Sequence, residues 1–342
     1  MNNRDGNGCA ARSSNFINFA PRFSLLMIAF GPIPSRRLGR SLGINNIPPK
    51  YCSYSCVYCQ VGKAMKMDIH RDHFYQPEYI LEQTREKIRQ AEEKGEKIDY
   101  LSLVPDGEPT LDINLGEIIT GLKTLEYPVA VITNSTLLWR TDVQNELLPA
   151  DWISVKIDAI TEAVWKKIDR PYKSLELPVI LKGIVDFRKK YNGIFTTETM
   201  LAKGYNNRPE EMEKIARFIA ALNPHNVYLS IPTRPPAVKS VKPPDETFLN
   251  AAFHIFKQHM EPVELLIGYE GNAFAFTGNA HDDILSITAV HPLRREAVDQ
   301  LLKKSGNNWE LVDHMLENGE LIKTEYEGSV FFIRKLRQKT GE

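Results

Sequence analysis

From residue 78 onward the spacing of apolar positions changes repeatedly, and each change marks an element boundary. "EYILEQTREKIRQAEEKG" places its apolar residues three and four apart, as one face of a helix does, and "IDYLSLV" follows as a short strand-like run. The alternation then repeats through "LGEIITGLKTL" and "VAVITN", "DVQNELLP" and "DWISVKID", "LELPVILKGIVDFRKKYN" and "IFTTETML", and "PEEMEKIARFIAALNP" and "NVYLSIPT". Helices alternating with strands of this length predict a parallel sheet with helices outside it. Counting "LGINNI" as the first strand gives about six strands, short of the eight of a closed barrel. A partial barrel and an open doubly wound sheet both fit. In either, ligands meet the loops that follow the carboxyl ends of the strands. Those loops are "CSYSCVYC", "PDGEPT", "NST", "DAI", "AKGYNN" and "TRPPA".

A Pro-rich passage, "TRPPAVKSVKPPDE", leads to a helical pattern over 246–259, a strand-like "VELLIGY" and a boundary near 276–282. Beyond it, "HPLRREAVDQLLKKSG" and "NWELVDHMLENG" predict two helices stopped by Gly306 and Gly319. "LIKTEYEGSVFFIRKL" predicts a hairpin turning at Glu327 and Gly328. Two helices and a hairpin make a winged-helix-like module. The expected organisation is a flexible N-terminal tail over 1–28, the α/β unit over 29–278 and the winged-helix-like domain over 279–342, with Met27 an alternative start. Because the loops that carry chemistry all precede residue 240, deleting 281–342 is expected to leave them intact.

The 342 residues, 42% hydrophobic, suffice for one large domain and a small one. Basic and acidic residues number 43 each, so no global field announces nucleic acid or anionic lipid. A local patch is left open, but the tail's balance does not single out nucleic acid, since 281–342 holds 9 Lys or Arg against 11 Asp or Glu. The longest early apolar run, "FSLLMIAF", is too short for a membrane span and no cleavage site follows it. Four cysteines, with Cys9 isolated in a polar stretch, do not form a secreted disulfide framework, so a reducing cytoplasm is the expected setting.

The other three, Cys52, Cys56 and Cys59, lie within eight residues. Thiolates at i, i+4 and i+7 in one loop select zinc, Cu(I) or an iron–sulfur cluster. A structural zinc site is closed by four ligands, and His70 or His73 would have to supply the fourth. A four-iron cluster held by three cysteines instead keeps one iron free of protein ligands. The spacing leaves both open.

C-x3-C-x2-C with Tyr58 just before the last cysteine resembles the signature of the radical S-adenosylmethionine (SAM) superfamily. That resemblance implies a partial (β/α)6 TIM-like barrel and a 4Fe-4S cluster on Cys52, Cys56 and Cys59. It implies that the open iron chelates the amino and carboxylate groups of SAM, and that an electron from a donor such as flavodoxin or ferredoxin cleaves SAM to methionine and a 5′-deoxyadenosyl radical. "DGEPT" stands where the family carries a Gly-Gly-Glu motif whose backbone carbonyls receive the SAM ammonium. Asp106 replaces the first glycine, leaving Gly107 and Glu108 as the matching part, with Gly107 permitting close backbone approach. Tyr58 is expected against the adenine. Asn134, Ser154, Lys156 and Asp158 occupy positions of the family's other SAM contacts, whereas alternation alone makes Met200 and Leu201 core residues.

Two longer strings, Gly31 to Gln60 and Ser230 to Ala237, resemble a subgroup of radical SAM proteins grouped with the wyosine-forming tRNA-modifying enzymes. Those enzymes carry further N-terminal cysteines for a second cluster. Only Cys9 lies upstream here, so one cluster is expected. Arg36, Arg37, Arg40 and Arg234 border the expected opening and would suit an anionic substrate, RNA included. The catalytic residues and the substrate are not specified by any motif. The competing class is a zinc-binding winged-helix module that binds nucleic acid or protein.

Overall fold

The computed structural model describes residues 28–268 and 271–335. The N-terminal tail up to residue 27, with Cys9 and Met27, lies outside the described residues. The chain opens with β1 (Ala29–Ser35) and β2 (Gly39–Ile44), an antiparallel pair, followed by the two-residue β3 (Tyr51–Cys52) and β4 (Lys66–Met67). The helix–strand alternation then runs α1 (Pro77–Glu93), β5 (Tyr100–Leu103), α2 (Leu115–Lys123), β6 (Val129–Thr133), α3 (Thr141–Leu147) and β7 (Trp152–Lys156). It continues with α4 (Glu162–Ile168), α5 (Leu177–Lys190), β8 (Ile194–Met200), α6 (Pro209–Leu222), β9 (Asn226–Ser230), α7 (Glu246–Lys257) and β10 (Val263–Leu266).

Eight strands form one sheet in the order β1-β2-β5-β6-β7-β8-β9-β10, curled as a half-barrel. From β2 to β10 every neighbouring pair is parallel. The parallel part therefore has seven strands rather than six, because "VELL" joins the sheet beside β9. The antiparallel β1, which starts at the end of the apolar run "FSLLMIAF" and continues through Gly31 to Ser35, adds the eighth. Strand interiors such as Leu101, Leu103, Val129 and Val131 are fully buried, since helices cover one face and the barrel interior the other. Helix α1 shows how the sequence sets the outer layer. Pro77 starts it, Ile80, Thr84, Ile88 and Ala91 bury one stripe, and Gly95 at φ +68° lets the chain turn away.

A second, smaller core lies beyond β10. It is built from α8 (Ala280–Val290), β11 (Leu293–Arg294), α9 (Arg295–Ser305), α10 (Trp309–Glu317), β12 (Leu321–Tyr326) and β13 (Ser329–Arg334). The two expected helices end at Gly306 and Gly319 with left-handed φ of +71° and +66°, and the hairpin turns through Glu327 and Gly328, both at positive φ. Helix α8 is additional. It buries Ile284, Leu285, Ile287 and Thr288 on successive faces, so it has no apolar stripe for periodicity to reveal.

Helix α8 also bears on whether the tail is separable. It packs on β1, and Asp283 at its start receives the buried Lys87 of α1 at 2.9 Å, with Thr277 bonded to the same ammonium at 2.5 Å. A cut before residue 281 removes both the Asp283 carboxylate and a helix packed on β1, so the tail and the barrel share packing. Asp283→Ala is expected to lower stability by about 3–5 kcal/mol, the cost of breaking a buried pair. The denaturant midpoint reads it, and a midpoint within error of the parent would show that the pair contributes nothing.

Candidate active site

The strand ends converge on a cavity of about 280 Å³. Its wall takes Cys52, Cys56, Tyr58 and Cys59 from the loop after β2, Asp106, Gly107 and Glu108 after β5, and Thr133 and Asn134 at the end of β6. Lys156 ends β7, Glu198 and Met200 lie on β8, and Ser230 to Arg234 follow β9. This is the carboxyl end of the parallel sheet, where open α/β folds and barrels place ligands.

Local turns gather the thiols. Cys52 sits in β3, Cys59 N–H donates to the Cys56 carbonyl at 3.2 Å, and Gly62 N–H donates to the Cys59 carbonyl at 3.1 Å. All three are free and half-buried. Asn134 Nδ2 donates to Cys52 Sγ at 3.5 Å and to Ser53 Oγ at 2.9 Å, while Cys56 Sγ donates to Asp169 Oδ1 at 3.5 Å. Burial pushes the Cys52 thiol up to about 12, with the Glu108 charge adding to it. Burial likewise raises Cys56, aided by Asp169, and Cys59. Thiols held protonated in this way release protons when a metal takes them as thiolates.

The donor set distinguishes two metals. Zinc needs all its ligands about 2.3 Å from one point, whereas a cluster offers a separate iron to each thiolate. Among the described residues no three His, Cys, Asp or Glu side chains are grouped around a single ion position. His70 points to Asp68 at 2.7 Å and His73 to Asn114 at 3.1 Å; both are exposed, and neither lines the cavity. The residues present suit a cluster with one open iron, and nothing supports the zinc alternative.

"DGEPT" folds against the cysteine loop. Asp106 carbonyl accepts Lys50 N–H at 2.7 Å, and Glu108 N–H donates to the Tyr51 carbonyl at 3.1 Å. A Cβ at Gly107 would lie 1.9 Å from that same Tyr51 oxygen, so only glycine fits. Its φ is not positive; close approach alone demands the glycine. Glu108 is fully engaged. It accepts from Thr110 Oγ1 and Thr133 Oγ1, each at 2.6 Å, from Thr110 N–H at 3.1 Å and from Asn134 N–H at 2.7 Å, bracing the ends of β5 and β6 together.

The remaining expected contacts divide. Lys156 lines the cavity, 3.8 Å from Glu198 and 4.7 Å over the Tyr58 ring. Burial alone would lower its pKa, but Glu198 and Asp158 hold it above the usual lysine value. Tyr58 is buried with its hydroxyl donated to Asp158, and a second bond runs to Asp169 at 3.3 Å. It therefore braces the wall as well as facing the cavity. Asp158 is correspondingly buried behind Tyr58 and accepts Met200 N–H at 2.7 Å, and neither it nor Ser154, buried within β7, lines the cavity. Met200 does, while Leu201 is core as expected. Arg36, Arg37 and Arg234 reach the cavity; Arg40 instead bonds Glu96 at 3.1 Å outside it. Tyr58→Phe is expected to cost about 1–3 kcal/mol of stability through the buried carboxylate it leaves short of a partner, with iron content unchanged. Loss of iron in that variant would instead give the hydroxyl a role in holding the cluster.

A sequence model of the Radical SAM superfamily matches residues 46–219, half of the chain, beginning just before the cysteine loop and ending in α6. The chain belongs to the radical SAM superfamily. It is thereby an iron–sulfur enzyme of the class that uses a 4Fe-4S cluster and SAM. The UPF0026 protein MJ1312 of Methanocaldococcus jannaschii is 45% identical over 316 residues, 92% of this chain and 98% of that protein. A UPF0026 protein of Helicobacter pylori is 32% identical over 81% of this chain and 88% of its own length. Among solved structures, a radical SAM methyltransferase from Sphaerobacter thermophilus superposes with a TM-score of 0.51 at 15% identity over 66% of each chain, a likeness of fold.

Several radical SAM wall residues carried no motif. Glu198 bonds Arg37 and accepts Ser230 Oγ at 3.0 Å; a lone charge inside the buried strand "TTETM" is the signal that could have found it. Gln60 and Arg234 join the site to the smaller core. Arg234 Nη1 donates to Gln60 Oε1 at 2.8 Å and its Nη2 meets His291, while Gln60 Nε2 donates to the Val290 carbonyl at 2.9 Å. Among the described residues no helix is long and apolar enough to cross a membrane.

Proposed function

We propose that Cys52, Cys56 and Cys59 hold the cluster and that the cavity beside them receives SAM and one anionic substrate. When bound, the pair supplies one-electron cleavage of the sulfonium and, from it, abstraction of a hydrogen atom. The observation that carries this reading is the position of three free thiols from one loop on the wall of the strand-end cavity. Glu108 and Asn134 act from behind, fixing the strand ends and the Cys52 sulfur. Gly107 sets the distance between the two loops, and Lys156 is a cation held in place by Glu198.

The substrate class is read from the arginines of the same cavity. Arg36, Arg37 and Arg234 bring guanidiniums to the opening, and planar donor forks suit carboxylate or phosphate. RNA, the substrate class of the wyosine-forming enzymes that the two strings resemble, is one member of that group. Residues 279–342 are read as a winged-helix-like domain docked behind the cavity wall, through Val290 and His291 on Gln60 and Arg234 and through Tyr326, whose hydroxyl donates to the Pro232 and Val241 carbonyls at 3.3 Å. An external one-electron donor such as flavodoxin or ferredoxin, in a reducing cytoplasm, completes the reading.

Anaerobic reconstitution with iron and sulfide tests it. A brown protein whose reduced-cluster electron paramagnetic resonance signal changes on adding SAM is the expected result. A colourless protein carrying one zinc would overturn it.

A further inference from the structure

Asp106 stands where the resembled motif has a glycine, so family likeness gives its side chain no task. The structure gives it an unusual position. It is 3% exposed, it lines the cavity, and its Oδ1 is buried with no hydrogen-bond partner among the described residues. Its main-chain carbonyl is already engaged by Lys50 N–H at 2.7 Å, so the loop turns one backbone acceptor toward the cysteine strand and presents a side-chain acceptor instead. Burial raises the carboxyl to about 7, while Arg334 of β13 and Lys50 pull it back down. The Asp106 charge is also felt at the Cys59 thiol, which puts the group on the cluster side of the cavity.

A buried acceptor without a partner is costly, and an ionised one more so, unless a ligand supplies a donor. Lys50 and Arg334 favour its charged form without bonding Oδ1. The ligand that answers such a group carries a donor and a positive charge. SAM has one primary ammonium, at its amino-acid end.

We propose that Asp106 is the anionic anchor for the α-ammonium of bound SAM, accepting a charge-assisted hydrogen bond at Oδ1. This rests on the reading above, in which the amino-acid end of SAM lies beside the thiols. The side chain here takes over a contact for which a glycine could offer only its carbonyl.

A binding cycle tests the contact apart from turnover. Reconstituted parent and Asp106→Asn proteins are each titrated with SAM and with the analogue bearing hydrogen in place of the α-amino group. Binding is followed by the reduced-cluster resonance signal for SAM and by equilibrium dialysis for both ligands. Asp106→Asn is expected to keep its iron and to bind SAM about tenfold or more weakly, the scale of one charged hydrogen bond. Removing the amino group is expected to cost the parent about tenfold more affinity than it costs the variant, because the cycle isolates the coupling between the two groups. Equal losses in parent and variant would overturn the proposal. Should Asp106→Asn lose its cluster, Asp106→Gly, which restores the residue of the resembled motif, is read by the same cycle. A parent that binds no SAM at all fails the reading of the site itself, and this proposal with it.

Discussion

Replacing any one of Cys52, Cys56 or Cys59 by Ala is expected to abolish assembly of the cluster and every SAM-dependent spectral change. A four-iron cube bound at three corners depends on each thiolate, and two cannot hold three protein-bound irons in a stable arrangement. Among the described residues no other thiol and no imidazole lines the cavity to take the place of a lost one. His70 and His73 lie away from the cavity, bonded to Asp68 and Asn114. Of the carboxylates near the thiols, Glu108 and Asp169 are already bonded to Thr110, Thr133 and Asn134 or to Tyr58 and Cys56, and the open Oδ1 of Asp106 is a hard oxygen that does not replace a soft thiolate on iron–sulfur. Iron and sulfide per chain after anaerobic reconstitution, with the visible spectrum, measure the effect. Cys9→Ala should match the parent. A variant of the trio that retained a full cluster, or a requirement for Cys9, would mean the ligands are wrongly assigned.

Gly107→Val is expected to be nearly as damaging, for a reason that close packing alone supplies. The added Cβ would sit 1.9 Å from the Tyr51 carbonyl and 2.9 Å from Ile47 Cδ1. Backbone cannot yield as a flexible side chain does, so the cysteine strand and the "DGEPT" loop must separate. The hydrogen bond from Glu108 N–H to Tyr51 is then lost, and Cys52, the next residue, moves with it. From the sequence, a valine here would leave the cluster intact and weaken only SAM binding. The geometry predicts loss of both, together with destabilisation of several kcal/mol, in the upper range for overpacking. Iron content decides between the two. A Gly107→Val protein with a full cluster and no response to SAM would show that the loop gives way locally and that the glycine serves the cofactor alone.

The same contrast runs through the molecule. Helix α1, the stops at Gly306 and Gly319, the turn at Glu327 and Gly328 and the grouping of three thiols were legible because each depends on residues a few positions apart. Periodicity, capping and turn chemistry are local physics. The antiparallel β1, the place of the strand-like "VELL" in the parallel sheet and α8 were not legible, since a short apolar run or an all-round buried helix takes its role from what packs on it. The site divides along the same line. The cysteines, Gly107, Glu108, Asn134 and Lys156 sit at the cavity because they follow strand ends, and strand ends can be read from the chain. That Tyr58 would bond Asp158 a hundred positions away, that Glu198 would hold Arg37 across 161, and that Gln60 would meet Val290 across 230 could not be read from it. Ser154 and Asp158 lie off the cavity lining for a related reason. A strand position fixes which face a side chain takes, but only the curl of the sheet and the partners brought to it decide whether that face meets the cavity or the core. The sequence alone thus determined the chemistry this radical SAM protein can hold. Tertiary packing decided which polar groups are spent holding the loops and which, like the Asp106 carboxyl, are left to face a ligand, because satisfying a buried polar group depends on neighbours far away along the chain.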